Sequence, residues 1–366
     1  MAIAATSGVK KALAVTEAFY HVKRQMGRFP LTVRAIGRHW HRVAVHVRFD
    51  ATELDALLRP FGVGPVRSVR GLAEGSINTN HRVEAEGGAF FVRLSFGRGP
   101  ADLGFEASLL DWLATIPFPV VAPRRTAAGE PALPCRNGFL SVFPWSAGEH
   151  LPSNAVEERH LWELGRILGR LRRIGTAFPL VRANPYGPAT VAAWLEEIES
   201  TGGRGDAEVA SSLPLLRRGL AQARELALAP EGLIHGDVFR DNVLWLGDRI
   251  AAVLDFEMAC IAPAAVDPAV TLLDWTWDRD GFSAARIGAL ADGYRREAGS
   301  EASTAAQIAP ALVFAACRFT LSRLRDFHFS PLPPAALFRK DWREMRARLE
   351  AALTLGEAGV RRLWRQ

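Results

Sequence analysis

The change of hydrophobic period at Pro144-Trp145-Ser146-Ala147-Gly148 constrains this 366-residue chain more than any other feature. Before it lies a strand-rich region. After it apolar residues recur every three or four positions, the period of one helix face. Residues 66–72, 80–85 and 89–95 read as three strands, the last two joined at Gly87-Gly88, a dipeptide that accepts the positive φ angles of a tight hairpin. A helix over 51–60 precedes them, a helix over 103–114 follows, and 138–143 is a further strand. Beyond the break, Asn154 and Glu157 have capping-box spacing, and Leu161, Leu164, Ile167, Leu168 and Leu171 share one helix face. Residues 213–228 repeat that character, and two short strands, 242–246 and 250–256, meet at Gly247-Asp248 within an otherwise helical remainder. The expected fold is α+β and two-lobed: a small β-rich N-lobe over 50–146, a hinge, and a larger, mainly helical C-lobe over 147–366.

The formal net charge of +6 suggests a polyanionic partner until it is apportioned along the chain. The first 49 residues carry nine Lys or Arg against Glu17 alone, which leaves 36 basic and 38 acidic residues for the rest. Basicity therefore belongs to residues 1–49, expected to be a disordered extension or translation from an upstream start, with Met26 as a later one. An Arg-rich, acid-poor transit peptide is the alternative reading of that segment. No nucleic-acid or membrane partner is expected. No window approaches the roughly 18 apolar residues of a spanning helix, and the most apolar stretch, 308–317, contains Pro310 and suits a buried helix. Cys135, Cys260 and Cys317 lie far apart with no metal-ligand spacing, as expected of reduced thiols in a cytoplasmic protein.

Chemistry concentrates around the late hairpin. His235-Gly236-Asp237 is followed by Asn242 and, thirteen residues further on, by Asp255. Phosphoryl transfer from ATP needs such parts: one carboxylate takes the proton of the attacking hydroxyl, and an amide plus a second carboxylate hold Mg²⁺ against the phosphates. Asp237 suits the first task. Asn242 and Asp255 suit the second, because Mg²⁺ is a hard ion that keeps several waters and needs only one or two protein oxygens. The intervening hairpin would return Asp255 to the side of Asn242.

These residues resemble the H-(G/A)-D-x-x-x-x-N and following D of the aminoglycoside phosphotransferase and choline kinase superfamily, and within it the bacterial homoserine kinases show the greatest likeness. The likeness rests on Gly71-Leu72-Ala73-Glu74-Gly75-Ser76-Ile77-Asn78-Thr79-Asn80, on residues 235–245 and 252–260, and on 267–275 and 316–324; it runs from about residue 51 to the C-terminus. It implies a protein-kinase-like fold and an ATP- and Mg²⁺-dependent kinase of a small-molecule hydroxyl. Homoserine is the first choice of acceptor, and choline or ethanolamine, methylthioribose or an aminoglycoside the alternative. Three departures bear on the acceptor: Glu257 and Met258 stand where the family commonly has tyrosine or asparagine, and Arg172 where it has histidine.

The resemblance also distributes roles. Arg93 occupies the strand position where protein kinases hold the lysine that grips the α/β-phosphates. Its planar fork would clamp phosphate, with Glu106 on the next helix as partner. Gly75, Ser76 and Asn78 belong to a loop that would cover the phosphates with backbone N–H groups. His235 would brace the catalytic loop, Asp267 likewise, and Trp275 and Trp277 would pack in the core. An amino-acid acceptor needs a cation for its carboxylate and an acid for its ammonium. Arg240, Arg318 and Arg323 are candidates for the first, Asp241, Glu257 and Asp274 for the second.

Overall fold

The computed structural model describes residues 47–72, 78–203, 205–223, 226, 231–329 and 340–364. The loop residues Gly75 and Ser76 and the basic segment 1–46 lie outside them. Helix α1 (Ala51–Leu58) starts at Asp50, whose carboxylate accepts the Glu53 N–H at 2.7 Å. That bond satisfies one of the amides a helix start leaves open. Five antiparallel strands follow, in the spatial order β1 (Val66–Leu72), β2 (Thr79–Ala85), β3 (Gly88–Ser95), β5 (Gly138–Pro144), β4 (Leu133–Cys135). Strand β4 was not legible from the sequence. It is three residues long and holds Pro134, a residue that fits only an edge position, and the edge is where it lies.

Helix α2 (Pro100–Ala114) leaves the sheet through Arg98 and Gly99. Its apolar residues Phe105, Leu109, Leu110 and Leu113 join the core of the C-terminal half, whereas Val83, Val92, Leu94, Leu140 and Val142 of the sheet form a separate core with Leu54 and Phe61. A charged residue on α2 is therefore anchored to the larger core while it reaches toward the sheet.

The C-terminal half consists of α3 (Glu158–Gly175), α4 (Pro188–Ile198), α5 (Ala207–Gln222), α6 (Val266–Trp275), α7 (Ala284–Ala298), α8 (Ala305–Arg323) and α9 (Trp342–Trp364). Between α5 and α6 sit two small antiparallel pairs, β6 (Glu231–Ile234) with β9 (Cys260–Pro263) and β7 (Val243–Leu246) with β8 (Arg249–Val253). Helices α3 and α7 cross backbone to backbone. A Cβ on Gly165 or Gly169 would strike α7 carbonyls, and one on Gly293 would strike the Trp162 carbonyl. Helix α8, with its continuation to His328, is long and apolar enough to cross a membrane by length and composition alone. However, 72% of its most apolar window is buried inside the protein, as befits a core helix.

Three boundaries differ from expectation for physical reasons. Asn154 lies in a short 3-10 turn, and α3 instead starts after Glu157, whose N–H donates to His160 Nδ1 at 3.0 Å. Helix α5 starts at Asp206, which accepts the Glu208 and Val209 N–H groups, and it carries Pro214 in its interior. Strand β8 ends at Val253 because Asp255 takes a left-handed conformation (φ 59°, ψ 64°).

Candidate active site

Backbone geometry puts the motif residues together. The Leu254 N–H donates to the Asn242 carbonyl at 2.8 Å, so the β7–β8 hairpin returns Asp255 to the side of Asn242. Gly236 turns the chain at φ 81°, a conformation that residues with a Cβ rarely adopt. Asp267, in the first turn of α6, accepts the His235 N–H at 2.8 Å and the Gly236 N–H at 2.7 Å. The His235 ring closes the bracing: Nδ1 accepts the Asp237 N–H at 3.2 Å and Nε2 lies 2.7 Å from the Leu254 carbonyl. Only the neutral tautomer with its proton on Nε2 satisfies both contacts, and burial lowers the ring's pKa in the same sense. Arg318 Nη1 and Trp275 Nε1 tie down the carbonyls of Gly236 and Val238, each at 2.9 Å. Trp275 is fully buried and edge-on to Trp245, a core residue.

Asp237 and Asn242 face each other within this frame. Asn242 Nδ2 donates to the Asp237 carbonyl at 2.8 Å and to its Oδ2 at 3.0 Å, which leaves the acceptor Oδ1 for another partner. Burial, opposed by Lys340 and Arg318, pushes the Asp237 carboxyl up to about 6. Asp255 is also displaced upward, by burial first and then by the charge of Glu257, despite the opposing pull of Arg93. The single cation at its side, Arg93, does not outweigh burial and the neighbouring Glu257 charge. With Asn242 Oδ1 beside Asp255, the donor set is two hard oxygens, which fits a hydrated divalent cation and no soft one. Among the described residues no group of three or more His, Cys, Asp or Glu side chains could hold a metal, so few protein ligands are on offer.

Arg93 does not stand free as a phosphate clamp. Its Nη2 donates to Glu106 at 2.7 Å and its Nη1 to Asp255 at 3.2 Å, with the guanidinium 5.2 Å from the Phe143 ring centroid. Glu106 takes a second buried arginine, Arg98, at 2.5 Å, and the two cations hold its carboxyl at about 2 against the upward push of burial. Arg98 in turn reaches Glu257 at 3.9 Å. The chain of charges Asp255–Arg93–Glu106–Arg98–Glu257 thus runs through α2 and joins the two carboxylates that flank Phe256.

A cavity of about 410 Å³ opens in front of Asp237, walled by Glu257, Arg98, Arg182, Arg318, Tyr186 and Lys340 among others. Six Arg or Lys side chains and four carboxylates line it. A second cavity of about 350 Å³, beside Pro119 and Arg166, holds none of the motif residues.

The structure sorts the residues singled out for an acceptor. Arg240 and Asp274 bind each other through two contacts of 3.0 Å, and the Arg240 N–H adds a third at 2.8 Å; they fix the catalytic loop to α6 and do not line the cavity. Asp241 is exposed and pairs with Lys340 at 2.7 Å. Arg323 borders the cavity, but its Nη1 binds the Asp341 carbonyl at 2.6 Å and Glu344 at 2.9 Å, at the start of α9. Arg318 and Glu257 remain as buried opposite charges on the cavity wall. Asn78, expected at the phosphates, turns its Nδ2 to Glu257 Oε2 at 3.2 Å.

Arg98, Arg182, Tyr186 and Lys340 are among the cavity residues that escaped the sequence reading. Arg98 lies in a Gly-flanked connection with no periodic signal. Arg182 and Tyr186 fall in the stretch between α3 and α4, where Arg182 pins the carbonyls of Glu257 at 2.6 Å and Ala259 at 3.1 Å. Lys340 did carry a signal: it is the only lysine after Lys23.

Comparison with known proteins agrees with this geometry. Residues 68–300 match the family described as "Phosphotransferase enzyme family". A homoserine kinase of Methylobacterium radiotolerans is 31% identical over 84% of this chain and 95% of its own. One of Nitrobacter winogradskyi is 34% identical over 78% and 87%. Among solved structures, amicoumacin kinase bound to AMP-PNP, Ca²⁺ and amicoumacin superposes with a TM-score of 0.59 at 16% identity, over 79% of this chain and 88% of that one. A choline/ethanolamine kinase family protein of Mesorhizobium loti gives 0.54 at 17%, over 82% and 91%. Those two likenesses establish the two-lobed kinase-like fold. With family, relatives and site in agreement, the chain belongs to the phosphotransferase enzyme family, as a kinase of small molecules whose relatives bear the name homoserine kinase.

Proposed function

We propose that this kinase transfers the γ-phosphoryl group of ATP, with Mg²⁺, to the side-chain hydroxyl of L-homoserine. The observation that carries the acceptor is that buried Arg318, buried Glu257 and Asp237 line the same cavity. A zwitterionic amino acid meets a cation and an acid there. A polycationic aminoglycoside would meet six Arg or Lys side chains against four carboxylates, the wrong balance for it.

In this reading the acceptor hydroxyl approaches the Asp237 carboxylate, which takes its proton as the new oxygen–phosphorus bond forms and the bond to the β-phosphate oxygen breaks, releasing ADP. Asn242 keeps Asp237 oriented through its two Nδ2 bonds. Asn242 Oδ1 and Asp255 would hold Mg²⁺, which neutralises phosphate charge. Arg93 steers Asp255, and Glu106 fixes Arg93 from the larger core. Arg318 and Lys340, the two cations whose field lowers the Asp237 pKa, also favour an anionic acceptor beside it.

ADP release measured with homoserine, choline, methylthioribose and kanamycin tests the acceptor. Turnover is expected on homoserine first. Silence on homoserine with turnover on another acceptor would overturn the choice.

A further inference from the structure

A buried carboxylate of the cavity wall meets a buried amide. Glu257 is 8% exposed and Asn78 is 7% exposed, and they touch through Nδ2 and Oε2 at 3.2 Å. Among the described residues Asn78 Oδ1 has no hydrogen-bond partner. Arg98, the nearest cation to Glu257, stands off at 3.9 Å because the same Nη1 is engaged by Glu106 at 2.5 Å. Both contacts of the carboxylate fall on Oε2, so Oε1 remains as an acceptor among the described residues. Arg182 fixes the backbone on either side of Met258 through the carbonyls of Glu257 and Ala259, so the carboxylate is held in place before any ligand arrives. A buried amide oxygen left without a donor destabilises the free protein. Such a defect next to a fixed carboxylate suits a ligand group that is charged and rich in N–H donors.

We infer that Glu257 and Asn78 bind the ammonium group of the acceptor, and that this pair sets the enzyme's preference for amine-bearing alcohols. The inference rests on the amino-acid reading above and sharpens it. An ammonium brings three N–H donors and one positive charge, enough for Glu257 Oε1, Asn78 Oδ1 and one further acceptor. A quaternary amine such as choline brings the charge without the donors and leaves Oδ1 unsatisfied. Asn78 is contributed by the N-terminal sheet and Glu257 by the segment after β8, so the acceptor's amine is read by both halves of the molecule.

The test compares kcat/KM for homoserine and for 4-hydroxybutyrate, which keeps the hydroxyl and carboxylate and lacks the ammonium. The full-length wild-type enzyme is expected to favour homoserine by about 10³-fold or more, since a site built for a polar group rejects the analogue that lacks it. Glu257→Gln and Asn78→Ala are each expected to cut that ratio at least about tenfold while KM for ATP changes less than about threefold. The unchanged ATP parameter shows that the variants are folded. An unchanged ratio in both folded variants overturns the inference. A raised KM for Mg²⁺ with an unchanged ratio also overturns it, in favour of a second cation site. If the wild type ignores homoserine but phosphorylates another primary amino alcohol, only the choice of homoserine falls, and the same ratio is read on that acceptor and its deaminated counterpart. Turnover confined to acceptors without an amine sinks both.

Discussion

The catalytic loop and the Glu257–Asn78 corner are separated by a single hairpin and are built on opposite rules. Among the described residues, no buried side-chain nitrogen or oxygen from His235 to Asn242 lacks a hydrogen bond, whereas Asn78 Oδ1 and, further along the charge chain, Arg93 Nε have none. The loop holds the Asp237 carboxylate through backbone amides donated to Asp267 and the His235 ring and through the Asn242 side-chain amide donated to Oδ2, and needs no ligand to take its shape. The corner is fixed in position by Arg182 but left chemically incomplete. Full satisfaction buys rigidity where a proton must move, and partial satisfaction marks where something must bind.

Glu106 stands between the two regions and gives the most severe way to break the comparison. Glu106→Gln leaves Arg93 and Arg98 buried with one carboxylate fewer, so urea unfolding should show a loss of about 3–5 kcal/mol. Unchanged stability would mean the two arginines are not held as described. Next in size, Asp267→Asn replaces one of the two oxygens that receive the His235 and Gly236 amides with a donor. Stability should fall by about 1–3 kcal/mol and kcat should drop with KM for ATP little altered. A variant with wild-type kcat would remove Asp267 from the bracing of the loop.

The pH profile sharpens the same contrast. The Asp237 pKa is raised to about 6, and the deprotonated form is the base, so kcat/KM should fall tenfold per unit below about pH 6 and level off above about pH 7. A flat profile down to pH 5 would contradict that role. Asp241→Asn should do least. Asp241 is half exposed and only pairs with Lys340, so stability should change by no more than about 1 kcal/mol, read by melting.

Much of this was legible in the sequence, for reasons that particular residues show. Strand β2 alternates cleanly and β3 follows it across the Gly87-Gly88 turn, and the order His235, Asp237, Asn242, Asp255 implies a loop and a returning hairpin. The pairing of Arg93 with Glu106 was also readable, because strand and helix are adjacent in the chain. What escaped depends on long-range contacts. Arg240 and Asp274 look as free in the sequence as Arg318 and Glu257 do. Only the packing of α6 against the loop spends the first two on each other, and only Arg182, from a segment without periodicity, fixes the last. Strand β6, four residues around Gly232, gains its identity solely from its partner β9.

The central claim is that Asp237 accepts the proton of an amino-acid hydroxyl during phosphoryl transfer, and the most direct measurement is phosphorylated homoserine formed by wild type and by Asp237→Ala at equal ATP and Mg²⁺, followed by ³¹P NMR. Wild type is expected to form the phosphate ester. The variant should be slower by about 10²–10⁴-fold, with ATP binding and melting temperature retained. Product formed by folded Asp237→Ala at a near-normal rate would contradict the assignment.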